Sequence, residues 1–478
     1  MLPLLATARI VLRNYVDLPR MVYVLCVGSL INRAGSFVML FLTIYVTEQL
    51  GAGKAFASYC IGAFGFGSVV SSLIGGQLAD QFGRRATMLV ALFGGATALL
   101  FLSLVTNPWL FMGVLFLFAV IIEMYRPASA AMIGDLTSGA QRPHAFGLMY
   151  IAVNLGFAVA PPIGGFLASY SFTWLFWADA FTTAMFGGVV YFLMQETRPI
   201  PRAYLMSVTD RNNEASNDQI AAAVQSSAGF TQLAAAEGLA SLESVNTTNS
   251  EPGSVVTAGG VVAEGQVTGS LVAALQHVAG DWTFLLFCFC NLLTSIVFMQ
   301  GFATLPLYVT EMGFTKLEFG AMICVNGGMI VLLQLPLTHL LNRCNRAMVL
   351  LAGELFLAIG FGLTVYADSA MFFVGTIVLW TIGEIFQAPY KPTIVSELAP
   401  PALRARYMGV FNLSHALSLM IGAPLGGEIL ARFGPQVLWP GCFCLLIITM
   451  AIYVVLFSRL TVAGKSFDGS DTTPRNHV

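Results

Sequence analysis

Four ionisable side chains lie deep inside long apolar stretches of this sequence: Arg33, Glu123, Arg126 and Glu384. A charged side chain at the centre of a bilayer costs about 2.5–3.5 kcal/mol on insertion scales, so each one needs a compensating use. A carboxyl group there can take up and release a proton, and its proton affinity depends on burial and on neighbouring charges. These residues indicate a central polar cavity whose chemistry is proton binding.

Spacing divides these residues into two classes. Glu123 and Arg126 are three residues apart and share one helical face, where they either line a cavity or neutralise each other so that the segment can insert. Glu384 has no cation one turn away on its own helix, which favours a titrating or substrate-facing role. Asp179 and Glu354 are further candidates, and which of the four carboxyl groups titrates stays open.

The other reactive groups form no recognisable site. The eight cysteines lie in or at the ends of apolar runs, and their spacing to Asp, Glu or His matches no metal site. The motif Gly-x-x-x-x-Gly-Lys-Ser/Thr of ATP-driven pumps does not occur. We therefore expect no metal, no cofactor, no nucleic-acid partner and no enzymatic activity.

The elements that position these side chains are membrane spans. The chain of 478 residues is 57% apolar and 10% charged, whereas soluble domains carry about 25% charged residues. A helix needs about 20 apolar residues to cross a bilayer, and twelve segments qualify. We predict an all-α protein of the lipid bilayer with spans at 20–46, 56–79, 86–106, 109–133, 144–168, 174–194, 283–309, 318–340, 347–367, 370–396, 406–431 and 436–459.

The basic residues predict the orientation. Placing both termini in the cytoplasm puts most of the 22 lysines and arginines in cytoplasmic segments. The opposite face then keeps only Lys54, Lys316 and Arg432. Because cytoplasmic loops carry an excess of Lys and Arg, we expect a multi-pass protein of the cell inner membrane in this orientation.

The two halves of the chain repeat each other at a shift of 262 residues. Residues 142–165 superpose on residues 404–427 with glycines and prolines in register. Matched positions include Pro127 with Pro389, Asp135 with Glu397, Arg142 with Arg404 and Gly147 with Gly409. Two six-span halves in the same orientation predict two pseudo-symmetric six-helix bundles, an architecture typical of transporters.

The spans and their polar flanks predict four regions. They are an N-terminal bundle over residues 1–196, a cytoplasmic linker over 197–281, a C-terminal bundle over 282–460 and a cytoplasmic tail over 461–478. The linker is rich in Ala, Ser, Gly and Thr, so we expect it to be largely disordered. Leu271, Leu275 and Val278 predict a short amphipathic helix on the membrane surface before the seventh span.

A charged turn joins the second and third spans. It reads Gly76-Gln77-Leu78-Ala79-Asp80-Gln81-Phe82-Gly83-Arg84-Arg85. This pattern resembles the signature of the major facilitator superfamily between spans 2 and 3. The copy in the second half, around residues 342–346, is eroded.

The resemblance implies a gating role for this turn. Asp80 would face the positive end of the span 11 helix, and Arg84 would reach Asp135 at the end of span 4. Gly76 and Gly83 would permit the close approach of the chain. Together with Arg85 these residues would latch the outward-open state, although the two arginines could also serve only to set topology.

Two further stretches resemble drug:proton exchangers of that superfamily. Ala160-Pro161-Pro162-Ile163-Gly164-Gly165 is similar to the antiporter signature Gly-Pro-x-x-Gly-Gly, with Ala for the first Gly. The run from Thr381 to Pro389 is similar to the tenth span of multidrug exporters, and this likeness makes Glu384 the membrane carboxylate. The family also implies that spans 1, 4, 7 and 10 line the cavity.

These features predict a secondary transporter that exports a small hydrophobic or cationic compound in exchange for protons, acting as a monomer by alternating access. The first alternative is a proton symporter or facilitator for a sugar, peptide or organic anion. Arg33 and Arg126 favour this alternative because two cations would suit an anionic substrate. Span 1 keeps the arginine of the Glu-x-x-Glu-Arg motif of peptide symporters but lacks both carboxylates. The second alternative is a non-transporting membrane sensor with the linker as its output segment.

Overall fold

A computed structural model describes residues 18–137, 141–197, 271–341, 344–400 and 403–462. The regular structure of these ranges is helical, and twelve segments are long and apolar enough to cross a membrane. The predicted number of spans is therefore confirmed, with ends that differ by a few residues. Spans 1 to 12 run over Arg20–Glu48, Lys54–Phe82, Arg84–Leu102, Pro108–Leu136, His144–Tyr170, Phe172–Leu193, Trp282–Glu311, Lys316–Leu341, Arg346–Tyr366, Ala370–Leu398, Arg406–Phe433 and Pro435–Leu460.

Four of these spans are interrupted helices. Span 1 consists of Arg20–Ala34 and Val38–Glu48, and span 4 of Pro108–Ile122 and Tyr125–Leu136. Span 7 consists of Trp282–Phe298, Gln300–Ala303 and Leu305–Glu311, and span 10 of Ala370–Gln387 and Tyr390–Leu398. These are the four spans that the family resemblance assigns to the cavity.

The remaining spans are single α-helices, except that span 9 ends in a short 3₁₀ turn. Their helices are Lys54–Phe82, Arg84–Leu102, Gln141–Tyr170, Phe172–Leu193, Lys316–Leu341, Arg346–Leu363 with the 3₁₀ turn Thr364–Tyr366, Arg404–Phe433 and Pro435–Val462.

Proline explains the breaks in spans 4 and 10. Pro127 cannot donate a hydrogen bond to the Glu123 carbonyl, and Pro389 cannot donate to that of Ile385. The two prolines are equivalent under the 262-residue shift, although the break in span 4 precedes Pro127 while the break in span 10 includes Pro389. A break within a membrane is tolerated where neighbouring groups satisfy the freed backbone.

The break in span 1 is stabilised by a neighbouring helix. Asp179 of span 6 is 7% exposed and accepts a hydrogen bond of 3.2 Å from the Val38 backbone N–H, at the start of the second helix of span 1. Gly35 lies in the break, where a β-carbon would collide with Thr182 of span 6. Asp179 thus has a structural role as a cap between spans.

Two helix pairs join the halves, span 5 with span 8 and span 2 with span 11. An added β-carbon at Gly327 would lie 2.5 Å from Cα of Ala158, and one at Gly65 would lie 2.5 Å from the Met420 nitrogen. Glycine permits this approach because small residues let membrane helices pack backbone to backbone. The two halves accordingly belong to one compact unit.

A short helix precedes span 7, as the sequence predicts. It covers Leu271–Gly280, and its Val278 side chain is buried against the C-terminal half. Most of the predicted linker and the predicted tail beyond Val462 lie outside the described residues, so the predicted disorder and domain boundaries stay predictions.

Candidate functional site

Glu384 lies near the end of the first helix of span 10 and is half-buried. Its Oε2 accepts a hydrogen bond of 2.8 Å from Nδ2 of Asn326 in span 8. The same Nδ2 donates to Oγ1 of Thr381 at 3.1 Å, one turn before Glu384. No described Lys, Arg or His side chain forms an ion pair with Glu384, and its hydrogen-bond partner is the neutral amide of Asn326.

Glu123 and Arg126 form an ion pair at the break in span 4. Nε of Arg126 lies 2.9 Å from Oε2 of Glu123, and the arginine side chain is 50% exposed while that of the glutamate is 14% exposed. The pair that the spacing predicts is therefore made, and it leaves half of the guanidinium accessible. An accessible cation beside a paired carboxylate suits a cavity wall.

Arg33 lies in the last turn of the first helix of span 1 and does not join that pair. Its Nε is buried without a hydrogen-bond partner among the described residues, and its charge acts on Asp179 across the break. Span 5 packs closely here, since a β-carbon at Gly156 would lie 2.6 Å from Cβ of Arg33. Arg33 thus keeps unused hydrogen-bonding capacity close to the span 1 break.

Side chains from both halves face the space between them. Tyr150 of span 5 is close enough to Glu384 of span 10 to interact electrostatically. His415 of span 11 is influenced in the same way by Glu123 and Arg126 of span 4. Tyr150 and His415 are both exposed, so predicted charges of each half have an accessible neighbour in the other half.

Glu354 forms an ion pair with a residue of another span, which spacing along one helix could not predict. It is fully buried in span 9, lies 3.7 Å from Nζ of Lys391 in span 10, and accepts a hydrogen bond of 2.7 Å from Thr294 in span 7. All three residues belong to the C-terminal half. This pair and the Thr294 hydrogen bond join spans 7, 9 and 10.

The charged turn between spans 2 and 3 is built around Arg84, which is 8% exposed. Its guanidinium forms an ion pair with Oδ1 of Asp80 at 2.8 Å, and it donates hydrogen bonds to Oδ2 of Asp135 at 3.2 Å and to the Ala79 carbonyl at 2.8 Å. The predicted contact between Arg84 and Asp135 is therefore made. It connects the start of span 3 to the end of span 4.

Glu196 completes this cluster, although the sequence analysis did not identify it. Its carboxylate accepts hydrogen bonds from the backbone N–H groups of Arg84 at 2.8 Å and Arg85 at 3.1 Å, at the start of span 3. Gly83 has φ of +104° and faces Glu196, so a side chain there would be strained and would collide with the carboxylate. Arg85 donates to the Tyr191 carbonyl at 2.7 Å.

Two predicted contacts of the turn are not present in this conformation. A β-carbon at Gly76 would meet no atom within 4 Å, so there is no close approach at Gly76 here. Asp80 is 71% exposed and binds Arg84 rather than the start of span 11. The physical reason is that spans 2 and 11 separate towards this end, since Gly409 of span 11 also has open space around it.

The second half has an equivalent of the Arg84 contact. Arg346 at the start of span 9 forms an ion pair with Glu397 at the end of span 10. A shift of 262 residues maps Arg84 onto Arg346 and Asp135 onto Glu397. The eroded second motif therefore retains its central ion pair.

The antiporter-like motif forms the contact of span 5 with two other spans. A β-carbon at Gly164 would lie 2.7 Å from the Phe41 ring of span 1, and one at Gly165 would lie 2.5 Å from the Lys316 carbonyl of span 8. The Pro161 carbonyl faces Gly320 of span 8, and Cα of Pro162 lies beside it. The motif thus packs the two halves together.

The side of the membrane with Arg84 and Arg346 is here called the basic side, and the other side is called the opposite side. Two ion pairs between the halves lie at the opposite side. Glu48 at the end of span 1 pairs with Lys316 at 2.7 Å, and Lys54 at the start of span 2 pairs with Glu311. Lys54 and Lys316 are equivalent under the 262-residue shift. The opposite side is therefore joined by two bridges, here called the twin bridges, whose lysines are equivalent and whose partners Glu48 and Glu311 are offset by one position under the same shift.

Metal binding has no support within the described ranges, where no group of three or more His, Cys, Asp or Glu side chains could hold an ion. Sequence reasoning missed Glu196, Lys391 as a partner of Glu354, and the twin bridges. Only the bridges had a signal in the sequence, namely the equivalence of Lys54 and Lys316.

Comparison with known proteins gives a family match over nearly the whole membrane part of the chain. The family described as Major Facilitator Superfamily matches residues 25–333 and 318–474. Its members are transporters and not enzymes.

Two curated relatives illustrate the range of functions. The Na(+), Li(+), K(+)/H(+) antiporter of Planococcus maritimus is 24% identical over 430 residues, which are 84% of this chain and 87% of the relative. Multidrug resistance protein 1 of Bacillus subtilis (strain 168) is 31% identical over 142 residues, which are 29% of this chain and 36% of the relative.

Solved structures agree on the fold. A POT family transporter in complex with 5-aminolevulinic acid superposes with a TM-score of 0.68 at 17% identity, covering 94% of this chain and 97% of that chain. At this identity the likeness shows the fold of two six-helix bundles and not the substrate.

Proposed function

We propose, since this chain belongs to the Major Facilitator Superfamily, that it is a secondary transporter exporting a small hydrophobic or cationic compound in exchange for protons. The observation that carries the proposal is the environment of Glu384. Its carboxyl group binds a neutral amide, whereas Glu123 and Glu354 each face a cation. A carboxyl group without a counter-cation can exchange a proton for a cationic substrate at one site.

The relatives support an exchange mechanism. One full-length relative is named as a cation/proton antiporter, and one partial relative is named as a multidrug resistance protein. The antiporter-like motif of span 5 lies at the contact between the halves, which must change during alternating access.

The basic side is cytoplasmic in this proposal, with both termini inside the cell and the protein in the inner membrane as a monomer. The lysine and arginine distribution supports this orientation. The conformation described above is then closed towards the outside by the packing of the glycines and the twin bridges, and its cytoplasmic ends are apart.

The alternate state follows from the pairing of spans 2 and 11. Gly62 lies against Pro424 and Gly65 against Met420 in an antiparallel arrangement. Continuing that pairing towards the cytoplasm would bring Gly76 against Gly409. Asp80 would then lie at the start of span 11, where the positive end of the helix dipole stabilises a carboxylate. Asp80 and Gly76 thus act in the outward-open state.

Proton flux in vesicles tests the proposal. We expect the purified protein, reconstituted in liposomes and given tetraphenylphosphonium as a lipophilic cation, to move protons opposite to the cation. Glu384→Gln should abolish transport driven by a pH gradient because the amide cannot exchange a proton. Full dependence on the pH gradient in Glu384→Gln would overturn the role of Glu384.

Proton symport of an organic anion is the second candidate, favoured by one observation. Nε of Arg33 is buried without a partner among the described residues, and half of the Arg126 side chain is accessible. Arginine binds carboxylates through two parallel hydrogen bonds, so these groups suit an anion. The same vesicle experiment separates the candidates, because symport moves protons and an added organic anion in the same direction.

A further inference from the structure

Asn326 lies in span 8 where this helix contacts span 10 on one face and span 5 on another. Its side chain is 2% exposed and donates to Glu384 at 2.8 Å and to Thr381 at 3.1 Å. The next residue, Gly327, faces Cα of Ala158 in the other half of the chain. Neighbouring residues of one helix thus contact the carboxyl group and the interface between the halves.

We propose that Asn326 is the positioning residue that transmits the protonation state of Glu384 to the contact between the two halves. This inference rests on the proposed proton exchange at Glu384. It assigns the coupling to span 8, in addition to the span that carries the carboxyl group.

The amide of Asn326 can serve both protonation states of Glu384. The carboxylate accepts a hydrogen bond from Nδ2–H, as seen here. When a proton from the water of the cavity binds to the carboxylate, the new O–H becomes a donor and needs an acceptor, which Oδ1 of Asn326 provides if the amide turns over. Turning over also removes the hydrogen bond from Nδ2 to Thr381, whose hydroxyl donates to the Ile377 carbonyl at 2.6 Å. The two states therefore differ in the hydrogen bonds between spans 8 and 10.

Span 8 has little freedom to absorb such a change. Gly327 and, two turns earlier, Gly320 place the backbone of span 8 directly against Ala158 and the Pro161 carbonyl of span 5. Backbone contacts of this kind contain no flexible side chain, and close-packed interiors transmit small shifts. A rotation of span 8 at Asn326 consequently changes the contact with the antiporter-like motif.

Few other polar groups face Glu384, which makes the contribution of Asn326 measurable. Tyr150 of span 5 is within electrostatic range, and Thr381 is on the same helix as Glu384. Span 8 makes a second contact with span 10 further along, where Nε2 of Gln334 donates to the Ile385 carbonyl at 3.3 Å. Gln334 provides a matched control because it joins the same two helices and contacts Ile385 instead of Glu384.

The test needs no substrate. Nitroxide labels at Phe192→Cys and Met348→Cys, both exposed at the basic ends of spans 6 and 9, report the distance between the halves by pulsed electron paramagnetic resonance. The eight native cysteines are first replaced, and the protein is studied in lipid nanodiscs between about pH 5 and pH 9. Glu384→Gln should abolish the dependence of this distance on pH.

Asn326→Ala removes the donor that stabilises the carboxylate, so the pH midpoint of the distance change should move to alkaline pH by about one unit or more. Asn326→Asp should move it further in the same direction because two carboxylates repel. Gln334→Ala should leave the midpoint within about 0.3 unit of the parent protein. A role in packing alone predicts the opposite order, since Asp has the shape of Asn and Ala does not.

The outcomes distinguish the two proposals. An unchanged midpoint in both Asn326 variants, with the response abolished in Glu384→Gln, overturns the role of Asn326 and leaves proton exchange at Glu384 intact. A pH response that persists in Glu384→Gln, or is absent from the parent protein, overturns the proposed function and this inference with it. An equal shift in Gln334→Ala shows that any weakening of the contact between spans 8 and 10 suffices and also refutes the specific role of Asn326.

Discussion

In the N-terminal half Arg84 binds Asp80, Asp135 and the Ala79 carbonyl, whereas its equivalent in the C-terminal half, Arg346, pairs with Glu397. The two arginines join the start of one span to the end of the next in the same way. The two arginines differ in their number of partners, since Arg84 has two beyond the shared ion pair. They also differ in exposure, since the side chain of Arg84 is 10% exposed and that of Arg346 is 29% exposed.

The charges inside the membrane differ more than this ion pair. Glu123 and Arg126 form a partly accessible pair in the N-terminal half. The C-terminal half has the buried pair of Glu354 and Lys391 and, separately, Glu384 bound to the neutral amide of Asn326. The repeat has therefore kept the mechanical contact in both halves while proton chemistry is proposed for one half only. The charged side chains of the two halves thus differ inside the membrane, whereas the ion pair at its edge is present in both.

The largest expected effect is on stability, and it distinguishes the two intramembrane ion pairs. Lys391→Met should lower the free energy of unfolding by about 3–5 kcal/mol because it leaves Glu354 buried without its cation. Arg126→Gln should lower it by about 1 kcal/mol because half of the Arg126 side chain is accessible to water. Unfolding by sodium dodecyl sulfate in mixed micelles measures both values.

A double variant provides the control for this difference. Glu354→Leu combined with Lys391→Met should recover most of the stability because no unpaired charge remains. Equal losses in Lys391→Met and Arg126→Gln would show that burial does not distinguish the two pairs.

The next effect compares the two arginines of the repeat. Arg84→Gln should reduce the initial rate of tetraphenylphosphonium transport by about tenfold or more, because charge-assisted hydrogen bonds contribute about 1.5–3 kcal/mol each. Arg346→Gln should reduce it by about two- to fivefold, as expected for an exposed pair. Rates in proteoliposomes with matched protein content check the order, and a larger loss in Arg346→Gln would reverse our interpretation of the repeat.

Asp80→Asn separates gating from binding. We expect tetraphenylphosphonium to bind with a Kd within about twofold of the parent value, because Asp80 is exposed and pairs with Arg84 rather than with an intramembrane charge. Transport should fall by about fivefold, roughly the 1 kcal/mol of a helix-dipole contact. Equilibrium binding to the purified protein and transport in vesicles give the two numbers. Loss of binding together with transport would show that the turn is also part of the substrate site.

The smallest effect concerns the twin bridges on the opposite side. Lys54→Glu should shift the population of this conformation by up to about fivefold, since exposed ion pairs contribute about 0.2–1 kcal/mol, and the shift should diminish at high salt. Combining it with Glu311→Lys should restore the distance between the labels at residues 192 and 348. Pseudo-symmetry predicts an equal response for Lys316→Glu, and a silent Lys316→Glu would show that the bridges are not equivalent.

Much of the fold can be predicted from the sequence. Twelve apolar runs, the repeat at 262 residues and the turn from Gly76 to Arg85 predict the spans, the two halves and the family. The contact of Arg84 with Asp135 also follows from the motif. These predictions succeed because a lipid bilayer requires every span to satisfy its own backbone, so local sequence decides the element.

The helix breaks show where sequence reasoning stops. Pro127 and Pro389 interrupt spans 4 and 10, whereas Pro161 and Pro424 lie inside continuous helices of spans 5 and 11. Proline alone therefore does not locate a break. Whether a helix stays continuous depends on the groups that neighbouring spans offer to the freed backbone, as Asp179 does for Val38.

The partners of the intramembrane charges were likewise decided by tertiary structure. Spacing along one helix identified the pair of Glu123 and Arg126, but Lys391 is 37 positions from Glu354 in the sequence and meets it only because spans 9 and 10 pack together. Asn326 reaches Glu384 across a longer separation still. The sequence by itself determined which residues are costly in a membrane and which helices carry them. The packing of those helices decided which charges are neutralised and left Glu384 with a neutral partner, because a contact between spans depends on three-dimensional distance and not on position in the chain.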